Sequence, residues 1–363
     1  MPLHPLVGHA DARRRLAHAV RANKLPQVLL ISGPAGVGKQ RLALWLGQLV
    51  LCTEAGSEPC GRCRACRLVE GLGHPDLHWL VPIPRPKAVD PDKAVDEAAQ
   101  GIAEVMDERR SKPFYGPPDG MASHSMASVR LLQRRASLTS VEGGRRVFVI
   151  GDADRLVPQE SSQEAANALL KLLEEPPPGS LFLLTTVDVR RLLPTIRSRA
   201  VPVRLQRLMD DEVRGFLKRQ PEIELTAEEL ETRVALAAGS IGAALAADDE
   251  RAKADRAAAQ LLEAILAGPA ERYERALCQP PFSARGEFTA MLDALAETLA
   301  DAARGTLGHD TRRQVPPALR RRTEPSALLE ALERVAKARE AAYGNVNPQV
   351  LLAVLGEELA EVL

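Results

Sequence analysis

The sequence is poor in aromatic residues, has no charge excess and contains no long apolar run. Phe, Trp and Tyr together make up 3% of its 363 residues, too few for the stacking platforms that hold single-stranded nucleic acid. Lys and Arg number 48, as do Asp and Glu, so the formal net charge is zero. That balance argues against a free-standing nucleic-acid binder, which needs a basic surface. No apolar stretch approaches the roughly 20 residues of a membrane-spanning helix, and MPLHPLVGHADARRR carries no apolar signal core. A soluble, cytoplasmic protein with no membrane partner is expected. Cysteine is scarce too, with five residues, four of them between Cys52 and Cys66. In a reducing compartment such clustering favours a metal over disulfides. The fifth, Cys278, sits in the helical pattern ERALCQPPF and is expected to be a small buried apolar side chain.

What is present is a chain long enough for two or three domains, with 45% hydrophobic residues to fill their cores. The first half alternates helix and strand. Helical periodicity over His9–Ala22 precedes the buried-strand pattern PQVLLIS at 26–32, and an amphipathic helix follows from Arg41 to Leu51. RVFVI (146–150) and LFLLTT (181–186) read as two more buried strands, with a helix between them from Ser161 to Glu175 stopped by Pro176-Pro177-Pro178. Strands linked by helices imply a parallel α/β sheet covered on both faces. From about Leu208 the pattern changes to three short helices, at 210–219, 226–238 and 241–247, with Gly239 as a C-cap. Beyond Asp248 come Ala- and Leu-rich helices near 251–267, 284–303, 325–342 and 347–362, an all-α region. Residues 82–126 open with PIPRPK, run through a charged helix-like stretch and turn into KPFYGPPDGM. They read as a solvated insertion on the surface of the α/β domain, with a contact arm for a partner as the alternative.

Between the first strand and its helix lies Gly33-Pro-Ala-Gly36-Val-Gly38-Lys39-Gln40. In the pattern G-x-x-x-x-G-K-[S/T], glycines let backbone N–H groups converge on a phosphate, the lysine meets the outer phosphates and the hydroxyl holds Mg²⁺. Gly33, Gly36, Gly38 and Lys39 are in place, but Gln40 stands where the hydroxyl belongs. The strand RVFVI ends in Gly151-Asp152-Ala153-Asp154, with glycine where a metal-holding acid is expected and Asp152 beside it as the shorter form of a water-activating acid. Asp152 and Asp154 read more simply as caps of the next element. With both usual anchors of Mg²⁺ missing, ATP and Mg²⁺ are not expected to be used by this chain. Lys39 is left with two readings, a phosphate ligand or a solvated cation.

The cysteines follow the spacing Cys52-x7-Cys60-x2-Cys63-x2-Cys66. The x2 spacings let one tight knuckle deliver neighbouring thiolates to a tetrahedral Zn²⁺. An iron–sulfur cluster is the chemical rival, disfavoured because the run has no fourth cysteine before a proline. Four thiolates leave no open position, so the metal would be structural.

The stretch AANALLKLLEEPP (165–177), LLPTIRSR (192–199), the cysteine knuckle after the loop helix, His74-Pro75-Asp76 and Leu6-Val7-Gly8-His9 together resemble the AAA+ clamp-loader subunits of bacterial DNA polymerase III. Within that family the zinc module and weakened nucleotide motifs resemble the stator class, not the ATPase gamma/tau class. The likeness covers about residues 1–82 and 127–250 with specific motifs, and the C-terminal helices by texture and by NVNPQ at 345–349. It implies an AAA+ α/β domain over 1–206, a small helical lid over 207–249 and a helical collar for oligomerisation over 250–363. It also implies that Arg199, in Ser198-Arg199-Ala200, acts as an arginine finger in the ATP site of a neighbouring subunit; the family's cysteine after that arginine is absent here. Thr185 or Thr186 falls at the sensor-1 strand end. The sensor-2 pattern Gly-Ser-x-Arg reads Gly239-Ser240-Ile241-Gly242, without its arginine. The implied partners are gamma/tau and delta subunits and, indirectly, the sliding clamp and primer–template DNA, in a DNA-directed DNA polymerase holoenzyme. The alternatives are an active gamma/tau-like ATPase with a relaxed metal site and a zinc-stabilised scaffold of another AAA+ ring.

Overall fold

The computed structural model describes residues 5–112, 122–142, 144–156, 163–220, 223, 225–245, 248–281, 286–309, 311, 315, 319, 324–342 and 346–363, with the side chains of 248–250 left aside. They form two compact units, 1–245 and 246–363. The first holds a parallel five-stranded sheet in the order β2-β3-β4-β1-β5. Its strands are β1 (Val28–Ser32), β2 (Leu77–Leu80), β3 (Arg146–Ile150), β4 (Ser180–Thr186) and β5 (Val201–Arg204). β1, β3 and β4 lie inside the sheet, where helices cover both faces, so each is built on an unbroken apolar stretch, VLLI, VFVI and LFLL. Phe148 and Phe182 stack at 5.0 Å in the middle. The edge strands β2 and β5 escape a search for apolar runs. LHWL is only four residues long, and VPVR is mostly exposed and carries Pro202, which an edge tolerates.

Around the sheet lie α1 (Ala10–Arg21), α2 (Lys39–Leu51), α3 (Arg64–Glu70), α4 (Pro91–Ser111), α5 (Met126–Ser137), α6 (Glu164–Glu174) and α7 (Pro194–Arg197). The expectation of a solvated insertion at 82–126 is overturned for α4. Asp90 caps it by accepting from the backbone N–H groups of Asp92 and Lys93, and Val95, Ala98, Ile102 and Met106 form a buried stripe. That stripe belongs to the same core as the sheet. Apart from the buried Arg109, the charged residues of this helix-like stretch lie on its outer face. The stretch at 113–121 lies outside the described residues.

A separate small core, built on Leu208, Val213, Phe216, Leu217, Val234, Ala237 and Ala244, joins α8 (Asp210–Lys218), α9 (Ala227–Ala237) and α10 (Ile241–Leu245). Ala238, not Gly239, is the C-cap of α9, in the left-handed region. The second unit contains α11 (Asp248–Ala267), α12 (Pro269–Leu277), α13 (Glu287–Thr306), α14 (Pro325–Ala341) and α15 (Pro348–Val362). They close over Leu262, Leu292, Leu295, Leu299, Leu328, Val335, Leu355 and Leu359. Cys278 is exposed, against expectation. It follows α12 two positions beyond the buried Ala276, which turns it to the helix's other side.

Candidate functional site

The phosphate loop leaves β1 and enters α2, as its spacing requires, but the backbone of α10 is seated on it. Gly242 N–H donates to Gly36 O at 3.0 Å, and Ser240 Oγ donates to Ala35 O at 3.0 Å. Gly36 has φ +69°, and a Cβ built there would lie 2.3 Å from Ser240 Oγ and 2.9 Å from Gly242 Cα. A Cβ on Gly242 would meet Gly36 Cα at 2.8 Å. Glycine at 242 is therefore a packing requirement as well as a missing arginine.

Lys39 is not the solvated cation of the second sequence reading. It is 6% exposed, and its Nζ donates to Pro34 O at 2.6 Å, closing the loop on itself. Burial pulls the amine down to about 8, with Asp152 and Asp154 pushing the other way. The folded chain therefore binds fewer protons than the unfolded chain between about pH 8 and the ordinary lysine value of 10.5, so stability gains from this group as pH rises through that window. Lys39→Met is expected to add about 1–2 kcal/mol at pH 7, less than the full linkage because Pro34 O loses its donor. Urea denaturation at pH 7 and pH 10 should show the difference between the two proteins shrinking at the higher pH.

Gln40 occupies the place left by the small residue at 151. A Cβ on Gly151 would lie 3.0 Å from Gln40 Cδ. The Gln40 amide donates to Asp152 Oδ2 at 3.0 Å, and its Oε1 accepts from Arg109 Nη1 at 3.4 Å. Arg109 is 5% exposed, and its guanidinium lies 4.1 Å from the centre of the Trp79 ring, a cation–π arrangement. At the motif's hydroxyl position there is thus an amide held between a carboxylate and a buried side-chain cation. Arg109 was missed because it lies in the supposed insertion. The signal was its place, three residues after Met106, at the end of the α4 apolar stripe.

Asp152 has φ +49°, and its N–H donates to Thr185 Oγ1 at 3.0 Å. Burial, reinforced by Asp154, raises its carboxyl pKa. Asp154 accepts from Thr186 Oγ1 at 2.9 Å and lies 3.7 Å from Arg191 Nη1. The two acids, with Thr185 and Thr186, therefore tie the tips of β3 and β4 together. His124 Nε2 meets Gly151 O at 2.7 Å, a buried contact with no sequence signal. Asp76 accepts from Ser140 Oγ and from the N–H groups of Val141 and Glu142 at 2.8–2.9 Å, pinning the loop before β3.

Arg199 lies beyond α7, away from this network in sequence. Its Nη2 pairs with Glu174 at 2.5 Å, and its Nη1 donates to Thr195 O at 2.8 Å.

α2 carries Lys39 at its first position and Cys52 as its C-cap, so one helix joins the phosphate loop to the cysteine knuckle. The ligand atoms of Cys52, Cys60, Cys63 and Cys66 all lie within 4.8 Å of one another. Cys60–Cys66 and Cys52–Cys63 are each 3.9 Å apart between sulfurs. Tetrahedral Zn–S bonds of about 2.3 Å set an S···S edge of about 3.8 Å, so the four sulfurs fit such an ion. Backbone N–H groups of Cys60, Cys63 and Cys66 donate to Cys52, Cys60 and Cys63 sulfurs at 3.3–3.4 Å. Burial alone would raise the Cys63 thiol, but donation from Cys66 and Thr53 holds it down to about 6. Burial pushes Cys52 and Cys66 up. The set could hold a metal such as zinc. The knuckle is bolted to the core through Glu58, which accepts from Trp45 Nε1 at 2.7 Å and pairs with Arg13 at 2.7 Å.

A parallel α/β domain with a phosphate loop after β1, and a small helical cluster seated on that loop, define a P-loop protein of the AAA+ class. The tetracysteine knuckle narrows the class further. The chain belongs to the family described as DNA polymerase III, delta subunit, whose family model matches residues 8–209. Among its curated relatives, the DNA polymerase III subunit delta' of Bacillus subtilis (strain 168) is 30% identical over 205 residues, covering 56% of this chain and 50% of the relative. The subunit delta' of Escherichia coli (strain K12) is 30% identical over 233 residues, 64% of this chain and 57% of the relative. The subunit gamma/tau of Mycobacterium tuberculosis (strain H37Rv) is 27% identical over 319 residues, 85% of this chain and 46% of that protein. The chain thus spans about half the length of the curated relatives it matches. Among solved structures, a DNA polymerase III gamma subunit-related protein from Thermotoga maritima aligns with a TM-score of 0.41 and 18% identity, covering 96% of this chain and 99% of that one. No helix among the described residues is long and apolar enough to cross a membrane.

Proposed function

We propose that the chain is a non-hydrolysing delta' subunit of a DNA polymerase III clamp loader. It assembles with gamma/tau-type ATPase subunits and a delta subunit, and the assembly loads a sliding clamp onto primer–template DNA in the cytoplasm. In this reading residues 1–206, 207–249 and 250–363 serve as AAA+ core, lid and collar, and the knuckle holds a structural Zn²⁺. The observation that carries it is the rebuilt nucleotide site: Gln40 fills the room beside Gly151, Lys39 is spent on Pro34 O, and Gly242 rests on Gly36. Such a site neither coordinates Mg²⁺ nor leaves the lysine free for phosphate, so hydrolysis falls to the neighbours. Arg199 supplies the neighbour's site with a planar, always-charged group suited to a γ-phosphate.

The breadth of the gamma/tau match favours an ATPase reading, which the purified chain separates. Mg²⁺-dependent ATP hydrolysis by the chain alone, abolished by Lys39→Ala, contradicts the proposal. In a reconstituted ring, Arg199→Ala is expected to leave assembly intact on gel filtration. It should lower clamp- and DNA-stimulated ATPase at least about threefold, since an arginine finger is worth on the order of 10³ at its own site.

A further inference from the structure

We infer that Glu174 is the positioning residue for Arg199, an inference that rests on the finger reading above. α6 ends at Glu174 with Glu175 as its C-cap, and Pro176-Pro177-Pro178 bar any further turn. The carboxylate is therefore delivered at a fixed point beside α7, whose Ile196 is buried in the core. Glu174 Oε1 takes Arg199 Nη2 at 2.5 Å, with side-chain exposures of 44% and 32%. On the other side Nη1 donates to Thr195 O at 2.8 Å and reaches Ser198 Oγ at 3.4 Å.

Ion pairs this exposed contribute little to stability, so the pair's effect lies elsewhere. Arginine carries large rotamer freedom. Anchoring both terminal nitrogens from two elements removes that freedom before a neighbour arrives, leaving the Nε hydrogen and the second Nη2 hydrogen for a γ-phosphate oxygen. The ordering that a transition-state contact demands is met in advance. The Glu-Glu-Pro-Pro run thus does more than end a helix.

The test uses the full chain in a reconstituted clamp-loader ring, with clamp and primed DNA, and compares the parent with E174A, E174Q, R199A and E174A/R199A. E174A is expected to lower ATPase kcat about fivefold, with KM for ATP within about twofold and assembly intact. E174Q keeps an oxygen acceptor at the same reach and should restore most of the rate. The double variant should match R199A alone, because the carboxylate acts only through the guanidinium. If R199A lowers the rate while E174A leaves it unchanged or raises it, the positioning role is overturned and the finger stands. If R199A itself has no effect, the finger reading falls and the positioning role with it.

Discussion

Gly242→Arg is expected to unseat α10 from the phosphate loop and lower the chain's thermal midpoint by roughly 5–15 °C. The side chain's first atom does the damage. A Cβ at 242 lies 2.8 Å from Gly36 Cα, a backbone atom with no rotamer by which to move away. Relief requires the loop and α10 to separate, which breaks the Gly242 N–H···Gly36 O and Ser240 Oγ–H···Ala35 O bonds. Overpacking of this kind together with two lost hydrogen bonds costs about 2–4 kcal/mol. At about 2–4 °C per kcal/mol for a unit of this size, the midpoint shift follows. Gly242→Ala should produce most of the effect, which separates steric seating from the charge of arginine. Hydrogen exchange over 33–40 should rise in both variants. An alanine variant with an unchanged midpoint and unchanged exchange shows that the seating is not what holds the loop.

The knuckle should show the second large effect. One Zn²⁺ per chain is expected by elemental analysis of protein expressed in zinc-replete medium. Cys66→Ser should abolish that stoichiometry and cost on the order of 3–5 kcal/mol, because the closed four-thiolate site exists only in the fold. The readout is built in. Trp45 donates to Glu58 at 2.7 Å and lies under the Arg13 guanidinium, 5.5 Å from its ring centre. Loosening residues 52–66 therefore changes the surroundings of Trp45, while Trp79, in the edge strand β2 beneath Arg109, serves as the internal comparison. Removing the metal with a strong chelator should shift Trp45 emission and lower the midpoint, and restoring zinc should reverse both. Metal-free protein with a parental midpoint and spectrum contradicts a structural metal.

The interior strands, the loop between β1 and α2 and the cysteine spacing were legible because each is written in contiguous residues. After Arg146, VFVI is apolar throughout because both sheet faces are covered, and C-x2-C-x2-C is a local turn geometry. What escaped was set by distant partners. β5 is a strand only because β1 pairs with it, despite Pro202. α4 reads as charged until its stripe meets the core. Arg109 and Glu174 acquire roles from residues 69 and 25 positions away, Gln40 and Arg199, and no periodicity encodes such pairings. Cys278 shows the converse: helical texture suggests burial, but only the docking of α12 decides which side faces inward.

The fit between Gln40 and Gly151 bears on how the two positions vary. An acid restored at 151 alone brings its Cβ to about 3 Å from the Gln40 amide, and a serine restored at 40 alone strips Asp152 and Arg109 of their shared partner. The two positions are therefore coupled: a change at either one disturbs the partner it leaves behind, and the pair is expected to vary together, which a double-mutant cycle on the melting midpoint would read as non-additivity.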